Sequence, residues 1–151
     1  MKALSLIEPW ASLVAWGYKK IETRSWGTGH RGVIAIHASK SKEVVKDFEE
    51  VEFLFGEAGL GIPDFWPKRA EGYPLGKIVA VVNLFHCQRM TPELIAAQTR
   101  QEIGFGAWTP GRYAFSLGEA RKIETPIPCR GALGLWEVPA ELEAQAVARC
   151  A

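Results

Sequence analysis

Lys19, Glu22 and Arg24 fall within the segment GYKKIETRSW, Gly17 to Trp26, and put two cations and a carboxylate into six residues. Lysine and arginine offer charge-assisted donors to a phosphate or a base edge, and a carboxylate accepts from an exocyclic amine such as that of cytosine. The same trio could act on a bond. A lysine whose pKa is lowered by burial or by a neighbouring cation, here Arg24, serves as a base or activates a nucleophile, with Glu22 carrying the proton. The plain alternative is a solvated strand face with an ion pair that stabilises by only ~0.2–1 kcal/mol.

The elements around the trio decide whether it converges. PWASLVAW reads as a short helix with Pro9 at its first position and Gly17 just past its end. From Lys20 the chain is extended, so Lys20, Glu22, Arg24 and Trp26 share one side and Ile21, Thr23 and Ser25 the other. Lys19, still in the turn, is free of that parity and can reach the same end. ALSLIE, KKIETRS, GVIAIHA, GKIVAVVNLFHC, RYAFSL, RKIETPIP and ALGLWEV read as strands. Ser41 is placed to cap a helix carrying Val44, Phe48, Val51 and Phe55 on one face. Residues 56–74 read as a loop, TPELIAAQTRQEIG as one helix capped by Thr91, and the C-terminal residues as a short helix. Without steady β-α-β alternation, the pattern predicts an α+β fold built on a mixed, curved sheet or small barrel of about six strands.

Composition bounds the reading. A chain of 151 residues, 48% apolar and without repeat or low-complexity tract, is expected to form one domain over residues 1–151. Its net charge of +1 means that any polyanion must be held by a local patch. Cys87, Cys129 and Cys150 are odd in number and far apart, which suits a reducing compartment. The opening MKALSLIEPW is too short an apolar run for a signal peptide or membrane span, so a cytoplasmic location without membrane contact is expected.

Further residues could serve a nucleic acid. Trp10, Trp26 and Tyr113 are candidate stacking platforms, each worth ~1–3 kcal/mol per base where stacking occurs, and each could equally anchor the core. Arg31 and Lys40, with Lys42, bracket the third strand and could extend a backbone track, to which Arg130 in CRG adds a contact. Ser39 and Ser41 resemble caps more than nucleophiles. His37, in parity with Val33 and Ala35, reads as a satisfied, semi-buried histidine. His86, Cys87 and Cys129 lack zinc spacing, so no metal is assigned. No cofactor is expected unless a nuclease activity calls for Mg²⁺ or Mn²⁺.

The segment LSLIEPWASLVAWGYKKIETRSWGTGHRGVIAIHASK resembles the opening of the ASCH domain family, relatives of the PUA RNA-binding fold. The family hallmark G-x-K-x-x-E-x-R is matched by Gly17, Lys19, Glu22 and Arg24, and GKIVAVVNLFHC and RYAFSL to ALGLWEV resemble its later strands. The resemblance implies a small PUA-like β-barrel with surrounding helices and a cleft lined by the hallmark residues. It implies RNA or single-stranded nucleic-acid binding, or action on a modified nucleoside. One branch is linked to a metal-dependent ribonuclease and another to an N4-acetylcytidine amidohydrolase, whose catalytic threonine is replaced here by Glu22. Three readings stay open: a non-catalytic binding domain, a hydrolase using Lys19 and Glu22, and a protein-interaction module. If Glu22 reads a base or moves a proton, Glu22→Gln is expected to leave folding intact while selectivity or turnover falls.

Overall fold

The structure, a computed structural model, describes residues 1–150. In chain order the elements are β1 (Lys2–Leu6), α1 (Trp10–Ala15), β2 (Ile21–Arg24), β3 (Gly32–Ala38), α2 (Phe48–Glu57), β4 (Lys77–Arg89), α3 (Pro92–Ala96), α4 (Arg100–Gly104), β5 (Tyr113–Leu117), β6 (Arg121–Pro128), β7 (Leu135–Glu137) and α5 (Ala140–Arg149). The seven strands form one mixed sheet in the order β2-β5-β4-β3-β1-β7, with β6 joined to β4.

The valine-rich strand β4 organises the sheet. Its first half pairs with β3 and with β6, and its second half pairs with β5. Since β3 occupies one edge, β6 and β5 must share the other, end to end. Register shifts at Ile36/His37, Leu84/His86 and Ile78/Ala80 supply the bends this requires. The α+β class is as expected from the sequence, but the expected barrel does not close. β2 and β7 stay at opposite ends of the sheet. Beside β2, the Glu102 carboxylate takes the Lys20 and Ile21 amides at 2.7 and 3.2 Å, and α5 packs on β6 and β4. A carboxylate thus caps the edge that a closing strand would have needed.

Two helices differ from their expected extents. Asp47, not Ser41, caps α2, its side chain accepting from Glu49 N, while Ser41 accepts from Glu43 N in the preceding turn. The expected single helix after Thr91 is two, because Thr99 is extended (ψ 157°) and caps α4 by accepting from Glu102 N. That break brings Glu102 to β2. The turn between α1 and β2 is as expected, with Gly17 at φ 82°.

Apolar side chains pack in three groups. Leu4, Leu6, Ile34, Ile36 and Phe115 lie under α1. Leu13, Val51, Phe55, Trp66 and Phe105 tie α1 to α2 and α4. Ala3, Ala35, Ile78, Ile127 and Trp136 lie on the other face with α5. The candidate site forms where strands β1, β2 and β3 run out between these groups.

Candidate functional site

Glu22 and Arg24 project from the same side of β2, as strand parity requires, and the trio is in contact. Arg24 Nε and Nη2 lie 3.0 and 2.9 Å from Glu22 Oε2. Glu22 Oε1 accepts from Thr23 N at 3.0 Å and lies 3.5 Å from Lys19 Nζ. Lys19 is buried, and its ammonium donates to the carbonyls of Ile21 and Phe105 at 2.7 and 2.8 Å. Three acceptors face its three N–H groups, the geometry of a satisfied ammonium. Burial pulls the Lys19 pKa down, while the Glu22 carboxylate pushes it back up. Arg24 then reaches away from the trio and donates to Ser5 O at 2.8 Å.

Two clefts meet at Ser5, Ile7 and Arg24. The larger, about 1250 Å³, opens at the C-terminal ends of the parallel strands β1 and β3 and is bounded by the 129–134 loop. Its charged lining is Arg24, Lys40, Lys77 and Arg130, with no Asp or Glu among the described residues. The smaller, about 370 Å³, is lined by Trp10, Glu22, Thr23, Phe105 and Arg112 among others. Arg112 is anchored at Ala107 O (3.0 Å), so the smaller cleft also holds a positioned guanidinium.

Of the residues singled out in the sequence, Arg24, His37, Ser39, Lys40, Cys129 and Arg130 line the larger cleft, and Trp10, Glu22 and Arg24 the smaller. The others lie elsewhere. Lys19 lines neither cleft. Trp26 packs edge-to-face on Phe115 at 5.3 Å. Tyr113 packs so closely under Gly27 that a Cβ there would lie 2.6 Å from its ring. Arg31 is exposed and donates to the carbonyls of Thr28 and His30.

Sequence reasoning passed over several polar groups here. Lys77 sits at the head of a strand read only as apolar. Ser5 is directly opposite His37 in the β1–β3 pairing, with Ser5 Oγ 2.9 Å from His37 Nδ1. Glu102 is pushed up in pKa by burial, against the two amides it accepts from and Lys19. Glu8 is fully buried at the start of α1, accepting from Ser12 N at 2.7 Å and from Ser12 Oγ. Burial raises its pKa to about 7.

The residues do not fit a Mg²⁺ or Mn²⁺ centre. Both Glu22 oxygens are engaged by cations and an amide, and both Glu102 oxygens by amides, so neither carboxylate has the free oxygens that such an ion takes. Among the described residues, no group of three or more His, Cys, Asp or Glu side chains converges. No helix among them is long and apolar enough to cross a membrane.

The ASCH domain family matches residues 4–127. This chain belongs to that family. Activating signal cointegrator 1 of Homo sapiens is 24% identical over 140 residues, covering 92% of this chain and 22% of the relative. The Mus musculus protein of the same name matches with the same identity and coverage, so the chain spans about a fifth of the length of these curated relatives. The crystal structure of ASCH from Zymomonas mobilis superposes with a TM-score of 0.61 at 14% identity, covering 99% of this chain and 95% of that one. A mutant of that bacterial protein, carrying phenylalanine in place of a tyrosine, gives 0.60 at 14% identity, covering 99% and 98%. At that identity the likeness is one of fold, and it supports a PUA-like architecture for this ASCH domain.

Proposed function

We propose that this ASCH domain binds single-stranded RNA, with backbone phosphates in the larger cleft and one unstacked base in the smaller. The observation that carries the reading is the charge of the larger cleft: four cationic side chains and, among the described residues, no carboxylate, in a chain whose net charge is only +1. Such a concentration of one sign focuses attraction for a polyanion where the whole-protein field is weak. The smaller cleft offers the Trp10 ring for stacking and polar groups on Thr23 and Arg112 for a base edge. Arg24 stands at the junction, oriented by Glu22. In this reading Lys19 and Glu22 are positioning residues, and Lys40, Lys77, Arg130 and Arg24 contact phosphate. Trp26, Tyr113 and Arg31 lie outside the contact surface.

Fluorescence anisotropy with a labelled single-stranded RNA tests it. Alanine at Lys40, Lys77 or Arg130 should weaken binding and lower the slope of log K against log salt by about 0.7 for each phosphate no longer neutralised. Alanine at Arg31 should change neither. Equal affinity and slope for the Lys40→Ala/Lys77→Ala/Arg130→Ala protein and the parent would overturn the proposal.

A further inference from the structure

Ser5 and His37 occupy opposed positions on the parallel strands β1 and β3, so their side chains leave the same face of the sheet at the floor of the larger cleft. Their hydrogen bonds fix the protonation pattern. His37 Nε2 lies 2.7 Å from Cys129 O, and a carbonyl only accepts, so Nε2 carries the proton. In the neutral ring Nδ1 is then an acceptor, and the Ser5 hydroxyl, 2.9 Å away, donates to it. Burial lowers the His37 pKa, which keeps the ring neutral. Trp136 Nε1 donates to Ser5 Oγ at 3.1 Å, and the Trp136 ring packs edge-on to the imidazole at 5.4 Å.

The hydroxyl is thus held between a base that takes its proton and a donor that steadies charge on its oxygen, while Ser5 lines both clefts. The base is in turn oriented by a third group, Cys129 O. That is the arrangement of an activated serine, a nucleophile bonded to a base that is itself oriented. The 129–134 loop lies directly over the pair. A Cβ at Gly131 would fall 2.6 Å from His37 Cε1 and 2.7 Å from Ser5 Oγ, so only glycine lets the loop approach this closely.

We propose that Ser5 and His37 are a nucleophile and general base that hydrolyse a carboxylic ester carried on a phosphate-bearing molecule such as an acylated nucleotide. The substrate class rests on the phosphate-binding reading of the larger cleft, whereas the nucleophile–base pair stands on its own geometry. In the first half-reaction His37 Nδ1 takes the Ser5 proton as Ser5 Oγ bonds to the ester carbonyl carbon. The carbon–oxygen bond to the alcohol then breaks, and the alcohol leaves with the proton from Nδ1. In the second, His37 takes a proton from water as the water oxygen attacks the acyl-serine, and Ser5 Oγ departs with that proton. Ester and water give acid and alcohol. Arg24, bonded to Ser5 O at 2.8 Å, brings positive charge within one residue of the nucleophile, where the tetrahedral oxyanion is stabilised by it.

A fluorophosphonate probe bearing a fluorophore, followed by peptide mapping, reads the pair without any assumed substrate. Expected are labelling at Ser5, none in Ser5→Ala, and a rate about a hundredfold lower in His37→Gln, the size of a lost general base. Gly131→Ala, which keeps every side chain of the pair but crowds it, should also slow labelling. Circular dichroism melting shows whether each variant is folded, and the parent and Gly131→Ala decide the matter where His37→Gln does not fold. A folded parent that stays unlabelled, or equal labelling in a folded His37→Gln or Gly131→Ala, would overturn the pair. For substrate class, 3′-O-acetyladenosine 5′-monophosphate should be hydrolysed about tenfold faster in kcat/KM than 3′-O-acetyladenosine, the size of one charge-assisted contact. Equal rates would overturn the phosphate-bearing class and leave the pair standing. A parent protein that is labelled at Ser5 but binds no RNA in the anisotropy assay sinks the RNA reading and not the pair.

Discussion

Replacing Glu22 by glutamine tests whether the hallmark trio is machinery or scaffold. Read from the sequence, the change should leave folding intact. The contacts set a higher cost. Glu22 is 8% exposed, and its two oxygens face Thr23 N, Lys19 Nζ and two Arg24 nitrogens. An amide in its place must turn an N–H₂ toward either the ammonium or the guanidinium, where it can only oppose another donor. It also strips the buried Lys19 of its nearest counter-charge. Breaking a fully buried ion pair by removing one partner costs about 3–5 kcal/mol. Two facts discount that figure: the Arg24 side chain is 24% exposed and can turn to water, and Lys19 keeps its two carbonyl acceptors. About 2–3 kcal/mol is therefore expected, which for a chain of this size lowers the melting temperature by roughly 4–12 °C. Urea unfolding followed by tryptophan fluorescence gives the free energy. A cycle with Lys19→Met should show the two substitutions to be non-additive by at least about 0.5 kcal/mol. A loss for Glu22→Gln below about 0.5 kcal/mol, the range of ordinary surface changes, would refute the scaffold argument.

The buried Glu8 makes stability depend on pH in the direction opposite to most carboxylates. Its pKa is raised from 4.5 to about 7, so the folded state keeps a proton that the unfolded chain releases, and stability falls as pH rises through that window. The expected fall is about 3 kcal/mol, absent in Glu8→Gln; a difference between the two proteins that stays flat from pH 4.5 to 7.5 in urea titrations would refute it. Gly104→Ala would place a Cβ 2.5 Å from Ala58 N and 2.6 Å from Ala58 Cα, driving α4 from the end of α2 at a cost of about 1–3 kcal/mol in thermal unfolding. Because Phe105 O holds Lys19, the same substitution should also weaken RNA binding in the anisotropy assay.

What the sequence revealed followed from local rules. Strand β3 spans the whole of GVIAIHA, an apolar run that starts at Gly32, and β6 spans the whole of RKIETPIP. Gly17 ends α1 with a positive φ because only a residue without Cβ turns there cheaply. The placement of Glu22 and Arg24 on one face, which allows their ion pair, follows from strand parity alone. What stayed hidden depends on partners distant in sequence. Nothing local shows that Thr99 splits the helix after Thr91, or that the resulting α4 aims Glu102 at the edge of β2. The sequence separation of 32 between Ser5 and His37 conceals a pairing that only the parallel register of β1 and β3 creates. Lys77 was masked by the valine run that follows it.

In the proposed RNA-binding reading, the contacts of Glu22 explain how one carboxylate can strengthen a site for anions. Glu22 adds a negative charge beside the cleft, which by itself weakens attraction for phosphate. Yet an arginine at the end of a four-residue strand has many rotamers, and ordering such a side chain costs up to about 2 kcal/mol. Glu22 Oε2 and Ser5 O hold Arg24 in place before any ligand arrives, so binding need not supply that ordering. The remaining oxygen of Glu22 is turned inward to Lys19, where its charge offsets a buried ammonium. A lysine three residues before and an arginine two residues after one glutamate therefore divide its two oxygens between the interior and the site. The lysine fixes the carboxylate, and the carboxylate fixes the guanidinium that stands where both clefts meet.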